Sequence, residues 1–145
     1  PLLQQMLNDN YFALPAPKST GREYFNRQWL NNFIDNSSFS PADIRATLTA
    51  LTAETISNNI NQLSKNADIY LCGGGVENKH LVSLLNAKLK NHTLLNTRDN
   101  NINSDAMEAM AFAWLAFAFD HNIVGNVPAV TGASKHTVLG VSVNP

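Results

Sequence analysis

A short apolar run that stops at three glycines constrains this chain more than any other feature. Ile69-Tyr70-Leu71-Cys72 reads as a buried β-strand, and Gly73-Gly74-Gly75 as the turn that ends it. Leu81, Leu84, Leu85 and Leu89 then recur at helical spacing from about Asn78 to Lys90. His92 to Thr97 reads as a second strand. Strand, helix and strand in that order predict a parallel pair joined by a right-handed crossover. The fold class is therefore α/β, with helix in excess.

Helical patterns fill most of the remainder. Leu2, Leu3, Met6 and Leu7 have helical spacing, and Pro15 and Pro17 close that segment. Thr20 and Glu23 have capping-box spacing, which predicts a helix start within Ser19–Glu23. Tyr24, Phe25, Trp29, Leu30, Phe33 and Ile34 would form its apolar stripe. Asn36 to Phe39 is a turn. Ser40-Pro41-Ala42-Asp43 supplies a cap, a proline at the first helical position and an acid in the first turn. The helix it starts runs to about Ser64. Its threonines, Thr47, Thr49, Thr52 and Thr55, weaken it in isolation, so packing must hold it. Arg98 to Asn103 is a polar loop, after which Asn103 or Ser104 caps a helix reaching about His121. Its alternating Ala and aromatic residues predict close packing on several sides. Gly125–Pro128 and Thr131–Ala133 read as loops, and Thr137 to Val143 as a last strand candidate.

Composition limits the functions open to such a fold. At 145 residues, the chain is a single domain, residues 1–145, without repeats or a linker. It is 44% hydrophobic and 14% charged, which supplies a core and argues against disorder. Ten Lys and Arg against eleven Asp and Glu give a net charge of −1, so no global basic field exists to hold nucleic acid or an anionic membrane. The single cysteine, Cys72, excludes an intrachain disulfide, fits a reducing cytoplasm and reads as an inert structural thiol. The most apolar run, Ala106 to Phe119, carries Glu108 and is too short to span a bilayer. The start at Pro1, with no initiator Met or leader pattern, reads as part of something longer.

Two features could carry chemistry. The glycine turn lets a ligand approach the backbone closely, and the helix behind it offers free N–H groups. It is neither GxxxxGK[ST] nor GxGxxG, since Asn78 stands where the last glycine would be. A tight β-to-α turn without a ligand explains it equally. Asp105 and Glu108 share a face at the start of an apolar helix. They fit a carboxylate at a cleft, or dipole stabilisation worth about 0.3–1 kcal/mol each. His80, His92, His121 and His136 have no metal-site spacing. Tyr24, Trp29 and Phe33 read as core or interface, and Lys18, Arg22 and Arg27 are too few for a nucleic-acid patch.

Four segments in order carry a resemblance. They are Pro17-Lys18-Ser19-Thr20-Gly21-Arg22-Glu23-Tyr24-Phe25, Leu71-Cys72-Gly73-Gly74-Gly75-Val76-Glu77-Asn78, Asp105-Ala106-Met107-Glu108-Ala109-Met110-Ala111-Phe112-Ala113 and Asn126-Val127-Pro128-Ala129-Val130-Thr131-Gly132-Ala133-Ser134. Together they resemble the C-terminal part of the anhydro-N-acetylmuramic acid kinase family. The resemblance implies a helix-rich C-terminal lobe of an actin-like (ribonuclease H-like) ATPase fold, two lobes around a cleft. It implies a cytoplasmic homodimeric transferase of peptidoglycan recycling and amino sugar metabolism. That enzyme uses ATP, with Mg²⁺ brought along, and water to open 1,6-anhydro-N-acetylmuramic acid and phosphorylate O6. By the same resemblance Gly73, Gly74, Gly75 and Asn78 border adenine and ribose, and Glu108 positions the sugar and the attacking water. The phosphate loop and the general base belong to the N-terminal lobe, which this chain lacks, so the chain alone would be inactive.

Two other readings stand beside this one. One is an actin-like kinase for another small molecule. The other is a stand-alone interaction or dimerisation module without catalysis.

Overall fold

The computed structural model describes residues 1–35, 38–100, 102–103 and 106–143, and the side chains of 99 and 100 are outside the description. The architecture is α/β and helix-rich. Helices α1 (Leu2–Leu7), α2 (Asn10–Ala13), α3 (Arg27–Ile34) and α4 (Pro41–Leu63) precede strand β1 (Asp68–Leu71). Helix α5 (Lys79–Lys88) leads to strand β2 (Thr93–Asn96), followed by α6 (Met107–Asp120) and the single turn α7 (Pro128–Thr131). β1 and β2 pair in parallel with Asp68 opposite Thr93 and Leu71 opposite Asn96, as the strand–helix–strand pattern predicts.

Helix α4 is the spine. Ser40 and Asp43 form the reciprocal capping box, with Pro41 at the start of the helix. Thr49 and Thr52 hydroxyls donate to the carbonyls of Arg45 and Leu48 at 3.0 and 2.9 Å, so these threonines satisfy themselves on the helix surface. Two nearly opposite sides of α4 then serve two cores. Leu51 packs with Leu2 and Met6, walled by Trp29, Leu30 and Phe33. Ala53 packs with Leu85 and Leu89, walled by Ile60, Ile69, Leu71 and Leu94. The second core fixes the strand pair, and through it the glycine turn.

The structure corrects several sequence expectations. No helix starts within Ser19–Glu23; α3 begins at Arg27, where the Asn26 carboxamide accepts from Trp29 N at 2.9 Å. The stretch before it is pulled into an aromatic cluster instead. Tyr11 lies 5.7 Å from Tyr24 and 5.3 Å from Phe25, and Phe25 lies 5.0 Å from Trp29. Asp9 anchors this cluster, accepting from Tyr24 Oη at 2.7 Å, Trp29 Nε1 at 2.8 Å and Tyr11 N at 2.8 Å.

Strand β1 is not buried. Ile69 and Leu71 face the helices, whereas Asp68 and Tyr70 are exposed, because none of the described residues covers the other side of the sheet. Cys72 is likewise exposed rather than a buried structural thiol. Helix α6 is not packed on several sides, since Ala118 is its one buried residue. Its N-cap is Ala106, whose N–H donates to the Asn103 carbonyl at 3.1 Å. Ser104 and Asp105, like Asn36 and Ser37 of the predicted turn, lie outside the described residues. Polar residues Thr97–Asn100 form a 3-10 turn rather than plain loop. Thr137 to Val143 forms no strand; it lacks a neighbouring edge and is tethered through the Asn126 side chain, which bonds Lys135 O and Thr137 N. Among the described residues no helix is long and apolar enough to cross a membrane.

Candidate functional site

The register of the strand pair creates the site. Because Leu71 lies opposite Asn96, the chain leaves both strands side by side, through Cys72–Gly75 and Thr97–Asn100. The carboxyl ends of parallel strands are where open α/β sheets bind ligands. Gly73 turns the chain with φ at +77°, a conformation glycine adopts without strain. Gly74–Glu77 follow as a 3-10 turn, with Asn78 N donating to Gly75 O at 3.1 Å. The Asn78 carboxamide accepts from Leu81 N at 3.1 Å and so caps α5. Glu77 and Arg98 pair at 3.3 Å and link the two strand exits. Both are exposed, so the pair adds little stability. Thr97 is buried, and its hydroxyl has no hydrogen-bond partner among the described residues.

The turn is open to approach. A Cβ added at Gly73 or Gly74 would meet nothing within 4 Å, and at Gly75 only Leu81 Cδ2 at 3.8 Å. The backbone angle explains Gly73. Among the described residues nothing demands glycine at 74. Beside the turn lies a depression of about 380 Å³ lined by Val76, Lys79, Val82, Ser83 and Asn86. Lys79, Ser83 and Asn86 recur at helical spacing on one face of α5 and offer an ammonium, a hydroxyl and a carboxamide. Sequence reasoning missed these three. The signal was available as polar residues at i, i+4 and i+7 directly behind the glycines.

A larger cleft, about 1440 Å³, lies away from the glycines, between residues 11–20 and α4, where Tyr11, Pro17 and Lys18 face Glu54, Asn58 and Gln62. Lys18 Nζ donates to the carbonyls of Tyr11 and Phe12, both at 3.1 Å, which fixes one wall of the cleft. Two motif segments distant in sequence meet there: a Cβ on Gly132 would stand 3.9 Å from Pro17.

The other candidate residues scatter. Gly73, Gly74, Gly75 and Asn78 form one turn. Glu108 is exposed in the first turn of α6, a separate element. Its sequence partner Asp105 lies outside the described residues. His92 Nε2 lies 3.1 Å from Asn61 Oδ1, and His121 Nδ1 lies 2.9 Å from Phe117 O. Among the described residues no three His, Cys, Asp or Glu side chains gather as metal ligands would.

Comparison with known proteins gives this geometry a family. The model of the family described as anhydro-N-acetylmuramic acid kinase matches residues 1–145. A protein of that name from Photobacterium profundum is 44% identical over 147 residues, covering 96% of this chain and 39% of its own length. One from Aliivibrio fischeri is 44% identical over 142 residues, covering 97% of this chain and 39% of itself. One from Shewanella frigidimarina is 44% identical over 140 residues, with 96% and 38% covered. The chain thus spans well under half the length of these relatives. With a match along its entire length, the chain belongs to the anhydro-N-acetylmuramic acid kinase family.

Proposed function

We propose that this chain is the C-terminal portion of an ATP-dependent kinase that opens 1,6-anhydro-N-acetylmuramic acid with water and phosphorylates O6. The products are N-acetylmuramic acid 6-phosphate and ADP. The observation that carries the reading is the open glycine turn at the carboxyl end of a parallel strand pair, in a chain of this family. The lobe would be actin-like, in a cytoplasmic homodimer.

The residues fit a nucleoside. Gly73, Gly74 and Gly75 present backbone without side chains, and the adjoining depression supplies Lys79, Ser83 and Asn86 as hydrogen-bonding groups. The buried hydroxyl of Thr97, without a hydrogen-bond partner among the described residues, lies at the same end of the sheet. Asn78 acts mainly from behind, by capping α5 and holding the turn. ATP supplies the transferred phosphoryl group when bound, and Mg²⁺ accompanies its phosphates with waters of its own. Phosphoryl transfer depends chiefly on positioning and charge neutralisation, so a platform without a nucleophile has a full role. Glu108 would orient the sugar and the attacking water, the general base residing in the other lobe.

The test is the purified full-length protein with ATP and 1,6-anhydro-N-acetylmuramic acid, read by mass spectrometry of the sugar. The expected product carries the added mass of one water and one phosphoryl group. Absence of any phosphorylated sugar, or phosphorylation of a different small molecule in its place, would overturn the reading.

A further inference from the structure

The exits of the two strands carry an acid where a phosphorylated ligand would want none. From 72 to 79 and from 97 to 98 the charged side chains are Glu77, Lys79 and Arg98. Glu77 ends the 3-10 turn begun at Gly74 and stands one residue before Asn78, the cap of α5. A carboxylate there suits the positive end of that helix. It also competes with the phosphates of a nucleotide for the same field, and repels them. Arg98 meets Glu77 from the other strand exit, with Nη2 3.3 Å from Oε1. Arg98 is 52% and Glu77 67% exposed, so the pair contributes little to stability. Its consequence is electrostatic.

We propose that Arg98 is the counter-charge that lets this turn accept a polyanionic nucleotide. It neutralises Glu77 across the two strand exits and so sets the preference of the site for charged nucleotides over the bare nucleoside. The inference rests on the reading of the glycine turn as the nucleotide platform. Glu77 pairs with Arg98 rather than with Lys79, two residues away. That choice keeps the Lys79 ammonium for the depression it lines. Arg98 need not touch the phosphates. A lone carboxylate at the mouth acts over the Debye length, about 8 Å at physiological salt, and pairing it removes that reach. The effect of Arg98 therefore depends on Glu77. Where both charges are absent, the penalty is absent too.

Calorimetric titration of the full-length protein with adenosine, ADP and ATP tests the proposal. The proteins compared are the wild type, Arg98→Gln, Arg98→Lys and the double variant Glu77→Gln with Arg98→Gln. Arg98→Gln should weaken ATP about tenfold, roughly 1.4 kcal/mol, weaken ADP by less and leave adenosine unchanged. Arg98→Lys keeps the charge and should bind ATP as the wild type does, and so should the double variant. The ATP deficit of Arg98→Gln should shrink in about 0.5 M NaCl. Melting temperatures should stay unchanged, because both side chains are exposed. Equal weakening of adenosine and ATP would overturn the proposal and make Arg98 a structural residue. An ATP deficit that persists in the double variant would overturn it as well, as would wild-type ATP affinity in Arg98→Gln. A wild-type protein that binds none of the three ligands would fail the reading of the turn itself, and this inference with it.

Discussion

Helices α1 to α4 and the stretch from α6 onward invert the usual relation between apolar sequence and burial. The first region is ordinary in composition, yet it buries Leu2, Met6 and Leu51 and locks Tyr24 and Trp29 onto one carboxylate. The second is the most apolar part of the chain, yet Ala118 is the buried residue of its long helix. Burial depends on what an element packs against, not on its own hydrophobicity. The first region finds its neighbours within these 145 residues. The second leaves Met110, Phe112, Trp114 and Phe117 exposed.

Substitutions in the full-length protein can break this comparison. The largest effect belongs to the core that holds the strand pair. Leu89→Ala removes a side chain packed against Ala53 and Leu85 and should destabilise by about 2–5 kcal/mol in urea unfolding. A cost near zero would mean that α4 and α5 do not form the rigid base on which the site stands.

Glu108→Gln tests the opposite region. If the carboxylate orients sugar and water, kcat/KM for the sugar should fall about 10- to 100-fold, roughly 1.4–2.7 kcal/mol, with the fold intact. A lowered melting temperature with normal kinetics would instead reduce Glu108 to a charge at a helix start.

Asp9→Asn returns to the well-packed region and should cost about 1–2 kcal/mol, since hydrogen bonds to a charged acceptor are stronger than those to a neutral one. Partial burial pushes the Asp9 carboxyl up. The hydrogen bonds from Trp29, Tyr24 and Tyr11 N together outweigh it and hold the group below the ordinary carboxylate value. The contribution is therefore present above the unfolded carboxyl value and lost as pH falls through the folded one. Tyr24 moves the other way: its hydrogen bond to Asp9, then burial and the negative charge, raise its phenol above the ordinary value. That contribution is present below the unfolded phenol value and lost as pH rises through the folded one. Stability against pH should be flatter at both ends in the Asn variant. An unchanged profile would remove Asp9 as the anchor of the cluster.

Local chemistry was legible where it was self-contained. Ser40, Pro41 and Asp43 announced the start of α4, and the parallel pair followed from an apolar run, three glycines and a leucine period. Where a distant partner intervened, local rules failed. Thr20 and Glu23 have the spacing of a cap, but Asp9 and Tyr11 draw Tyr24 and Phe25 out of helical geometry. Thr137 to Val143 has the composition of a strand but meets no edge to pair with. At the site, Gly73 was readable because its backbone angle needs glycine. Lys79, Ser83 and Asn86 look like any solvated helix face until the depression beside the turn gives them a common object.

The central claim is that the glycine turn receives the nucleotide, and Gly74→Ala in the full-length enzyme tests it most directly. A methyl group there meets nothing within 4 Å inside the chain, and the residue does not have the positive φ of Gly73. The melting temperature should therefore stay unchanged. KM for ATP should rise about tenfold, roughly 1.4 kcal/mol of lost binding, while KM for the sugar stays the same. An unchanged KM for ATP beside an unchanged melting temperature would contradict the claim and leave the turn as a connection between strand and helix.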